Sequence, residues 1–306
     1  MCCLFGLFDY GHTFTGKQKA RMIRALATSA EVRGTDASGI AYNSGGKLHI
    51  CKRPLPGHLL PLYIPDDAAV VMGHARMTTQ GNEKRNYNNH PFPGQAGSTI
   101  FALAHNGVLH NDRKLRKSLK LPRTKIETDS YIAVQLLQQK RALNFDSLKY
   151  MAENVEGSFS FTVLDERDDL YFVKGDNPLC ICHFPEARLY LYASTEAILA
   201  DALIQIPYPL GEMEKIQLDG GELLMIAPNG KQRRAVLQYD DPMAFCGFGY
   251  WGWPYRRSRN RNQNSYIAAL KTVAGAYGYN SEQIDRLLEE GFEPEEIEEY
   301  LYCGEV

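Results

Sequence analysis

The sequence begins with Met1-Cys2-Cys3-Leu4-Phe5-Gly6-Leu7-Phe8, which places a thiol directly after a methionine and at the head of an apolar run. Because residues 2–8 show no polar alternation, they predict a strand that is buried on both faces. Removal of Met1 would give Cys2 a free α-amine. Reference pKa values are about 8.5 for a thiol and about 8 for such an amine, so one residue would supply a nucleophile and a general base near neutral pH.

A simpler interpretation of Cys2 is that it serves as a small apolar residue of a first strand, as buried cysteines often do. These first residues alone favour that interpretation. The choice between an apolar residue and a nucleophile therefore depends on motifs further along the chain.

The composition is that of a globular protein with room for one large domain or two smaller ones. The 306 residues include 44% hydrophobic residues, and 34 Lys plus Arg oppose 36 Asp plus Glu for a formal charge of -2. This balance provides no overall attraction to nucleic acid or to an acidic membrane. Seven cysteines without framework spacing, no signal-peptide pattern and no apolar run of about 18 residues predict a cytoplasmic protein without a membrane span.

The sequence shows no signature of a metal or cofactor site. Cys180-Ile181-Cys182-His183 has the wrong spacing for a zinc site and lies in an apolar run, so we expect reduced cysteines in a core strand. A Gly-rich phosphate loop is also lacking. We therefore expect neither a metal nor a cofactor.

Strands and helices share the first 238 residues, which predicts a layered α+β domain. A helix is predicted over 17–30, where Met22, Ile23 and Leu26 share one face. Residues 82–95 are rich in Asn, Gly and Pro and predict a long loop. Further helices are expected over 111–119, 128–140, 146–154 and 195–204, and later strands over 158–164, 169–174, 179–184, 188–193, 213–218, 221–227 and 232–238.

Three polar positions have simple structural interpretations. Arg76 ends an apolar strand, where an exposed rim arginine is common. Asn106-Gly107 follows the apolar run 101–105 and is a strong turn signal, so a hairpin turn is expected there. Asp129 lies in the first turn of the helix predicted over 128–140, where acidic residues often cap the helix.

The composition changes after residue 238. Residues 239–264 interleave aromatic residues with Gly and Arg. We interpret them as a linker that packs on its own domain rather than as a nucleic-acid surface, because the net charge is near zero. Residues 265–306 predict a module of three short helices, over 265–277, 281–290 and 294–302. We expect this module to dock to a partner protein.

Seven separated stretches occur in the same order as the motifs of one known family. They are Met1-Cys2 with Phe5-Gly6; Arg33-Gly34 with Asp36 and Gly39; Gly73-His74-Ala75-Arg76 with Thr79 and Gly81; Asn89-His90-Pro91; His105-Asn106-Gly107; Thr128-Asp129-Ser130; and Glu156-Gly157-Ser158. Together they resemble the class II glutamine amidotransferase domain, a branch of the N-terminal-nucleophile hydrolases. The resemblance covers about the first 200 residues, and it favours Cys2 as a nucleophile over Cys2 as an apolar residue.

The resemblance implies a four-layer αββα sandwich, which we place over residues 1–238, ahead of the helical module that the pattern of residues 265–306 predicts. It also implies hydrolysis of the side-chain amide of L-glutamine to L-glutamate and ammonia. By motif, Cys2 would be the nucleophile and its own amine the base. The Asn106 side-chain amide and the Gly107 backbone N–H would form the oxyanion hole, where the loss of one donor typically costs about 3 kcal/mol of barrier.

The same resemblance implies how the substrate is held. Arg76 would bind the α-carboxylate of glutamine, for which a planar fork of donors is suited. Asp129 would bind the α-ammonium. Thr79 and His90 match binding positions of the family and complete the set of expected substrate contacts.

The chain also departs from the family pattern. Cys3 stands where the family usually has Gly, and Met77, Thr78 and Gln80 replace common residues of the expected lid over 77–81. These changes could alter the site and the way the lid closes.

The sequence leaves the acceptor of the ammonia and the reaction itself open. Residues 239–306 carry no phosphoribosyl-binding, sugar-isomerase or ATP-pyrophosphatase signature, so we expect ammonia to pass to a separate acceptor or synthase. Two alternatives remain: a hydrolase of another γ-glutamyl amide, and a catalytically silent binding module with the same fold.

Overall fold

A computed structural model describes residues 2–237 and 279–290, together with Ile267, Leu270, Lys271, Ala274, Phe292, Pro294 and Ile297. Within these residues two antiparallel sheets lie face to face. The first sheet contains, in spatial order, β11 (Glu214–Ile216), β9 (Cys180–Phe184), β10 (Leu189–Ala193), β1 (Cys3–Asp9), β4 (Val70–Arg76), β2 (Ala37–Ser44) and β3 (Lys47–Arg53). The second contains β13 (Gln232–Val236), β12 (Glu222–Ile226), β8 (Leu170–Lys174), β7 (Gly157–Asp165), β6 (Thr99–Leu109) and β5 (Phe92–Ala96).

Helices cover the outer faces of the two sheets. They are α1 (Gly16–Ser29), α2 (Asp112–Ser118), α3 (Tyr131–Lys140), α4 (Phe145–Asn154) and α5 (Glu196–Gln205). A further helix, α6 (Ser281–Glu289), lies later in the chain. These elements lie within a few residues of their predicted ranges. None of the helices in the described ranges has both the length and the apolar character needed to cross a bilayer.

Apolar side chains form three core layers, one outside each sheet and one between the sheets. The outer core of the first sheet joins Phe5 of β1 to Leu26 of α1. The core between the sheets contains Leu4 of β1 and Phe172 of β8. The outer core of the second sheet joins Phe161 of β7 to helices α3 and α4. The expected four-layer αββα sandwich is therefore confirmed.

Strand β1 is the middle strand of its sheet and is buried at every residue, as predicted. Side chains alternate along it, so Cys3 and Phe5 pack on the helix side while Leu4 faces the second sheet. The same alternation places Cys2 on the side of Leu4. The thiol of Cys3 therefore fills the outer core and does not occupy the space between the sheets.

The hairpin turn predicted at Asn106-Gly107 is wrong, because β6 runs through both residues to Leu109. Asn106 and Gly107 pair with Ser160 and Phe159 of β7. Pairing along a buried strand has overridden the turn preference of these two residues. Both residues thus have a fixed place in the second sheet.

Two strands were not indicated by the sequence patterns. β5 begins at Phe92, inside the loop predicted over 82–95, and Pro93 is tolerated because β5 is an edge strand. β3 forms a hairpin with β2 through Gly45 and Gly46, which have φ values of 57° and 71°. In contrast, the predicted core strand around Cys180 is confirmed as β9, and its two cysteines are free and buried.

Near the end of the chain, α6 begins with a capping box between Asn280 and Gln283. A small apolar cluster, which we name the C-terminal cluster, consists of Leu270, Ala274, Ile284 and Ile297. Most of the predicted helices 265–277 and 294–302, and all of the linker 239–264, lie outside the described residues.

Candidate active site

The candidate site lies where several strand ends meet at one edge of the first sheet. β1 starts here, and the antiparallel strand β4 ends here, with Cys3 paired to Ala75. β10 also ends here, because Phe5 pairs with Ala193. Cys2 is thereby held beside Arg76 of β4. Strand β6 of the second sheet packs against β1 across the core between the sheets.

The Cys2 thiol is half-buried, and its Sγ donates to the backbone carbonyl of Met77 at 3.5 Å. Burial raises the pKa of this thiol. The positive charge of Arg76 lowers the pKa, and the negative charge of Asp129 raises it further. Because burial is the largest of these effects, the thiol is protonated near neutral pH, and a reaction that uses it as a nucleophile needs a base.

Arg76 is only 2% exposed. Its guanidinium donates to Asn89 Oδ1 at 2.5 Å and to the backbone carbonyl of Gln80 at 2.6 Å. The interpretation of Arg76 as an exposed rim residue is therefore wrong. Each terminal nitrogen carries two N–H groups, so each keeps one hydrogen beyond those bonds. Burial lowers the pKa of Arg76, but an arginine at this site remains charged at neutral pH.

Asp129 is also buried, and its Oδ2 accepts from the backbone N–H of Leu109 at 2.7 Å. The cap position of α3 is Ser130, and Ser130 makes no side-chain capping bond. The helix-cap interpretation of Asp129 is therefore wrong. Its carboxylate interacts electrostatically with both Cys2 and Arg76, so the structure brings these three charged or nucleophilic groups together.

Asn106 links the two sheets at this point. Its Nδ2 lies 3.4 Å from Ser194 Oγ, which also accepts from the backbone N–H of Leu4 at 2.9 Å. The backbone carbonyl of Asn106 accepts from Asn177 Nδ2 at 2.9 Å. These contacts fix the Asn106 side chain next to the beginning of β1.

Gly107 has a backbone conformation that only glycine adopts readily, with φ of 139°. A Cβ at this position would lie 2.0 Å from the backbone carbonyl oxygen of Ser158 and 2.5 Å from Asn177 Nδ2. A side chain therefore does not fit at residue 107, and the orientation of its peptide unit depends on glycine.

The loop over 77–81 is tied to the sheet at several points. The backbone N–H of Thr78 donates to Asp36 Oδ2 at 2.7 Å, and the backbone N–H of Asp36 donates to the Arg76 carbonyl at 3.0 Å. The Met77 side chain packs against the C-terminal cluster. This loop therefore connects the thiol, through the Met77 carbonyl, to the helical region near the end of the chain.

The structure does not bring Thr79 and His90 into direct contact with the thiol. Thr79 is exposed on the 77–81 loop. His90 is buried in a stack of rings, with centroids 4.1 Å from His74 and 4.4 Å from Phe92. Burial lowers the pKa of His90 well below its usual value, and neither ring nitrogen has a hydrogen-bond partner among the described residues. His90 is therefore a neutral ring.

Three residues with structural roles at the site had no role assigned from the sequence. Asn89 holds Arg76, and it lies within the Asn89-His90-Pro91 motif, so its position was indicated but its role was not. Both Ser194, which directly follows β10, and Asn177, which lies between β8 and β9, contact Asn106. No motif or spacing along the chain pointed to these two residues, because their proximity to Asn106 arises only on folding.

Comparison with known proteins identifies the domain to which this geometry belongs. A family model described as a glutamine amidotransferase domain matches residues 74–200. The expected resemblance to class II glutamine amidotransferases is therefore confirmed. The matched residues include Arg76, Asn106, Gly107 and Asp129 of the candidate site.

Several relatives are similar to this glutamine amidotransferase domain. The glutamine–fructose-6-phosphate aminotransferase (isomerizing) of Sulfurisphaera tokodaii is 30% identical over 190 residues, which cover 59% of this chain and 31% of that protein. The amidophosphoribosyltransferase of Methanocaldococcus jannaschii is 26% identical over 237 residues, which cover 73% of this chain and 48% of that protein. The chain thus matches about a third to a half of the length of these relatives.

A solved structure shares the fold of the amidotransferase domain. The glutamine phosphoribosylpyrophosphate amidotransferase from B. subtilis, complexed with ADP and GMP, aligns with a TM-score of 0.62 at 19% identity. The alignment covers 77% of this chain and 49% of that one. At this level of identity the similarity establishes the fold.

The charges around the thiol generate a prediction about its titration. Arg76→Gln removes a positive charge that stabilises the thiolate, so the pKa of Cys2 should rise. Asp129→Asn removes a negative charge and keeps an acceptor for the Leu109 N–H, so this pKa should fall. The measurement is the pH dependence of Cys2 alkylation by iodoacetamide, followed by peptide mass spectrometry. Arg85→Gln, at an exposed arginine paired with Glu127, is the control and should leave the profile unchanged.

Opposite shifts in the two variants support the arrangement of charges. A shift of the same sign in both variants would show that the two side chains do not act on the thiol through their charges.

Proposed function

We propose that this domain hydrolyses the side-chain amide of L-glutamine to L-glutamate and ammonia, with Cys2 as the nucleophile once Met1 has been removed. The observation that carries the proposal is the grouping of the Cys2 thiol with the Arg76 guanidinium and the Asp129 carboxylate at one edge of the first sheet. A nucleophile beside one cation and one anion suits a small substrate with both an α-carboxylate and an α-ammonium group.

Recognition of the amino-acid head would use the two buried charges. The α-carboxylate binds the remaining N–H groups of Arg76, and the α-ammonium binds Asp129. Since the Gln80 carbonyl bonds to Arg76 and Arg76 is almost fully buried, the 77–81 loop opens to admit substrate and closes afterwards. Thr79 on this loop and the buried His90 are the further residues that we assign to the binding pocket.

The reaction proceeds through a thioester. The α-amine of Cys2 takes the thiol proton, and the sulfur attacks the amide carbon of glutamine. The oxyanion that forms is stabilised by the Asn106 side-chain amide and the Gly107 N–H. The Cys2 ammonium then donates its proton to the leaving nitrogen, and the C–N bond breaks to release ammonia. Water, activated by the same amine, hydrolyses the thioester to glutamate and restores the thiol.

The ammonia passes to a separate acceptor or synthase in this proposal. The two relatives are an aminotransferase acting with fructose 6-phosphate and an amidophosphoribosyltransferase, and the matched region covers 31% and 48% of them.

We further propose the domain limits 1–238, 239–264 and 265–306, with the last segment as a docking module for the acceptor protein. The C-terminal cluster supports this division, because its four members pack together and reach the first domain at Met77. A partner bound to this module would lie near the 77–81 loop. A cytoplasmic location also belongs to the proposal, and the free state of the described cysteines is consistent with a reducing compartment.

Substitution of the nucleophile tests the proposed reaction. Full-length protein should release ammonia from L-glutamine, and Cys2→Ala should lower kcat by about 10³-fold or more, since the covalent route is lost. Asn106→Ala should lower kcat by about 10²-fold to 10³-fold through loss of an oxyanion donor. A coupled glutamate dehydrogenase assay measures the ammonia. Cys51→Ala, at a half-buried cysteine of β3, is the matched control and should retain activity.

The outcomes separate the alternatives. Activity that survives in Cys2→Ala contradicts the proposal. If the protein does not hydrolyse glutamine but cleaves other γ-glutamyl amides, the alternative of a hydrolase of another γ-glutamyl amide is favoured. A folded protein that retains Met1 and cleaves no γ-glutamyl compound is a binding module.

The contact between Met77 and the C-terminal cluster generates a separate prediction. Ile284→Asp buries an uncompensated charge in that cluster and should disrupt it, while the two-sheet core keeps its thermal transition. Loss of packing on Met77 should free the 77–81 loop and raise KM for glutamine about threefold to tenfold, by analogy with other loop-closing enzymes. Glu282→Lys, at an exposed residue of α6, is the control. An unchanged KM in a variant with a demonstrably disrupted cluster would contradict this link.

A further inference from the structure

Lys52 is a cation near the candidate site to which the proposed reaction assigns no role. It lies on the edge strand β3 of the first sheet and is half-buried. Its Nζ donates to the backbone carbonyls of Asn89 at 2.5 Å and of Pro91 at 3.0 Å, and it lies 5.0 Å from the centroid of the Phe92 ring. Two carbonyls and an aromatic ring thus contact the ammonium, so Lys52 binds a specific segment of the chain.

The backbone of Lys52 contacts the same segment, residues 86–91, which we name the 86–91 loop. Asn86 Nδ2 donates to the Lys52 carbonyl at 2.7 Å. Asn86 Oδ1 also accepts from Asn89 Nδ2 at 3.3 Å. Lys52 is therefore bonded to this loop through both its side chain and its backbone.

Gly39 of β2 allows the 86–91 loop to lie directly against the β2–β3 hairpin. Gly39 pairs with Lys52 on one side and with His74 on the other. A Cβ on Gly39 would lie 2.2 Å from the His90 carbonyl oxygen and 2.7 Å from the Lys52 Cβ. Glycine is therefore required for this close approach. Gly39 belongs to one of the sequence motifs, and its contact with the loop gives that position a structural role.

The 86–91 loop also holds the group that we assign to the substrate carboxylate. Asn89 Oδ1 accepts from the Arg76 guanidinium at 2.5 Å. Lys52 thus fixes the backbone of Asn89, and the side chain of Asn89 fixes Arg76. Two successive hydrogen bonds connect an edge strand to the guanidinium beside the Cys2 thiol.

The charge of Lys52 is stabilised by this loop. Arg76 of β4 is the charged group that acts on the Lys52 ammonium, and it repels that ammonium. Arg53, the next residue of β3, is exposed to solvent. Burial lowers the pKa of each neighbouring histidine, so these rings are neutral: His74, His90 and His105. The carbonyl groups of Asn89 and Pro91 therefore offset the cost of placing the cation here.

The protonation of Lys52 changes close to neutral pH. Burial, followed by repulsion from Arg76, lowers the pKa of Lys52 to about 8. Lys52 is therefore mainly an ammonium below this pH and becomes a neutral amine as the pH rises above it. A neutral amine is a weaker donor to the two carbonyls than an ammonium is. The attachment of the loop should thus weaken in mildly alkaline solution.

We propose that Lys52 is a positioning residue of the glutamine site, whose ammonium holds the 86–91 loop and thereby keeps Asn89 against Arg76. This inference rests on the proposed function, since it takes Arg76 as the group that binds the α-carboxylate of glutamine. Lys52 acts on the substrate through Arg76. Its loss should therefore weaken the binding of glutamine and leave the chemistry at Cys2 nearly unchanged.

The first test is Lys52→Met in the full-length chain, because methionine is also unbranched and removes the cation. KM for glutamine should rise about tenfold while kcat falls less than about twofold, which is the pattern of binding energy lost equally from the ground state and the transition state. Lys47→Met, at an exposed lysine of the same strand, is the matched control and should leave both constants unchanged. A folded Lys52→Met protein with wild-type KM overturns the proposal.

A double variant shows whether Lys52 acts through Arg76. In an Arg76→Gln background the α-carboxylate has already lost its partner, so adding Lys52→Met should raise KM less than about twofold further. Equal effects of Lys52→Met in the two backgrounds would show that Lys52 acts independently of Arg76, and would overturn the assignment.

Lys52→Arg tests the role of the charge. Arginine stays protonated over the range from about pH 6.5 to 9, so it keeps a cation where lysine loses one. Wild-type KM should rise about threefold to fivefold between about pH 7 and 9, and this rise should be absent in Lys52→Arg. The α-ammonium of glutamine titrates equally in both assays, so the ratio of the two KM values reports on residue 52. A ratio that stays constant over the range overturns the role of the ammonium.

Thermal melting establishes that each variant is folded. If Lys52→Met does not fold, Lys52→Arg decides alone: a KM ratio that changes with pH as described supports the assignment, and a constant ratio overturns it.

Failure of the proposed function has a different appearance, since wild-type protein then releases no ammonia at any pH. The pH profile of Cys2 alkylation tests Lys52 in that case, because it needs no turnover. Arg76 lowers the pKa of the Cys2 thiol, so displacement of Arg76 in Lys52→Met should move the alkylation midpoint to higher pH, in the same direction as Arg76→Gln. An unchanged midpoint would overturn the link from Lys52 to Arg76.

Discussion

The pairing of β1 on both of its edges is the constraint on which the site depends. A strand in the middle of a seven-stranded sheet cannot slip by one residue without exchanging its two faces, since side chains alternate along it. Phe5 would then lose the helix-side core and Leu4 the core between the sheets. The register that buries these two residues is the register that holds Cys2 beside Arg76.

The second sheet also contributes residues to the site, and strand pairing fixes their positions as well. Asn106 and Gly107 are held by their pairing with β7, and Ser194 joins Asn106 to the N–H of Leu4. The proposed nucleophile from one sheet and the proposed oxyanion donors from the other are thus related by the packing of two rigid layers. In such an arrangement little reorganisation is needed when charge develops on the substrate, which is the main source of electrostatic catalysis.

The sequence predicted the elements of the sandwich well, and it predicted individual polar positions less well. Apolar runs such as residues 2–8 predict buried strands correctly, because a strand that is buried on both faces carries apolar residues without polar alternation. The turn expected at Asn106-Gly107 was wrong, since the local turn preference was outweighed by pairing of these residues with β7. β5 was missed because its Pro and Gly residues are typical of loops, and only its place at a sheet edge accommodates them.

In the candidate site, too, some residues were predicted from the sequence and others were not. Cys2, Arg76 and Asp129 were indicated by motifs in the sequence, and the structure places their side chains within electrostatic reach of each other. Arg33 lies in one of the sequence motifs, but the sequence did not indicate a role for it. Ser194 and Asn177 carried no signal at all, because their relation to Asn106 spans 88 and 71 residues of sequence and exists only in the folded chain.

The most direct test of Cys2 as the nucleophile is the mass of the intact protein after treatment with a diazoketone analogue of L-glutamine. We predict a chain that lacks Met1 and carries one adduct, located on Cys2 by peptide mapping, and we predict protection by excess L-glutamine. A chain that retains Met1 and gains no adduct would contradict the central claim that Cys2 is the amino-terminal nucleophile of a glutamine site.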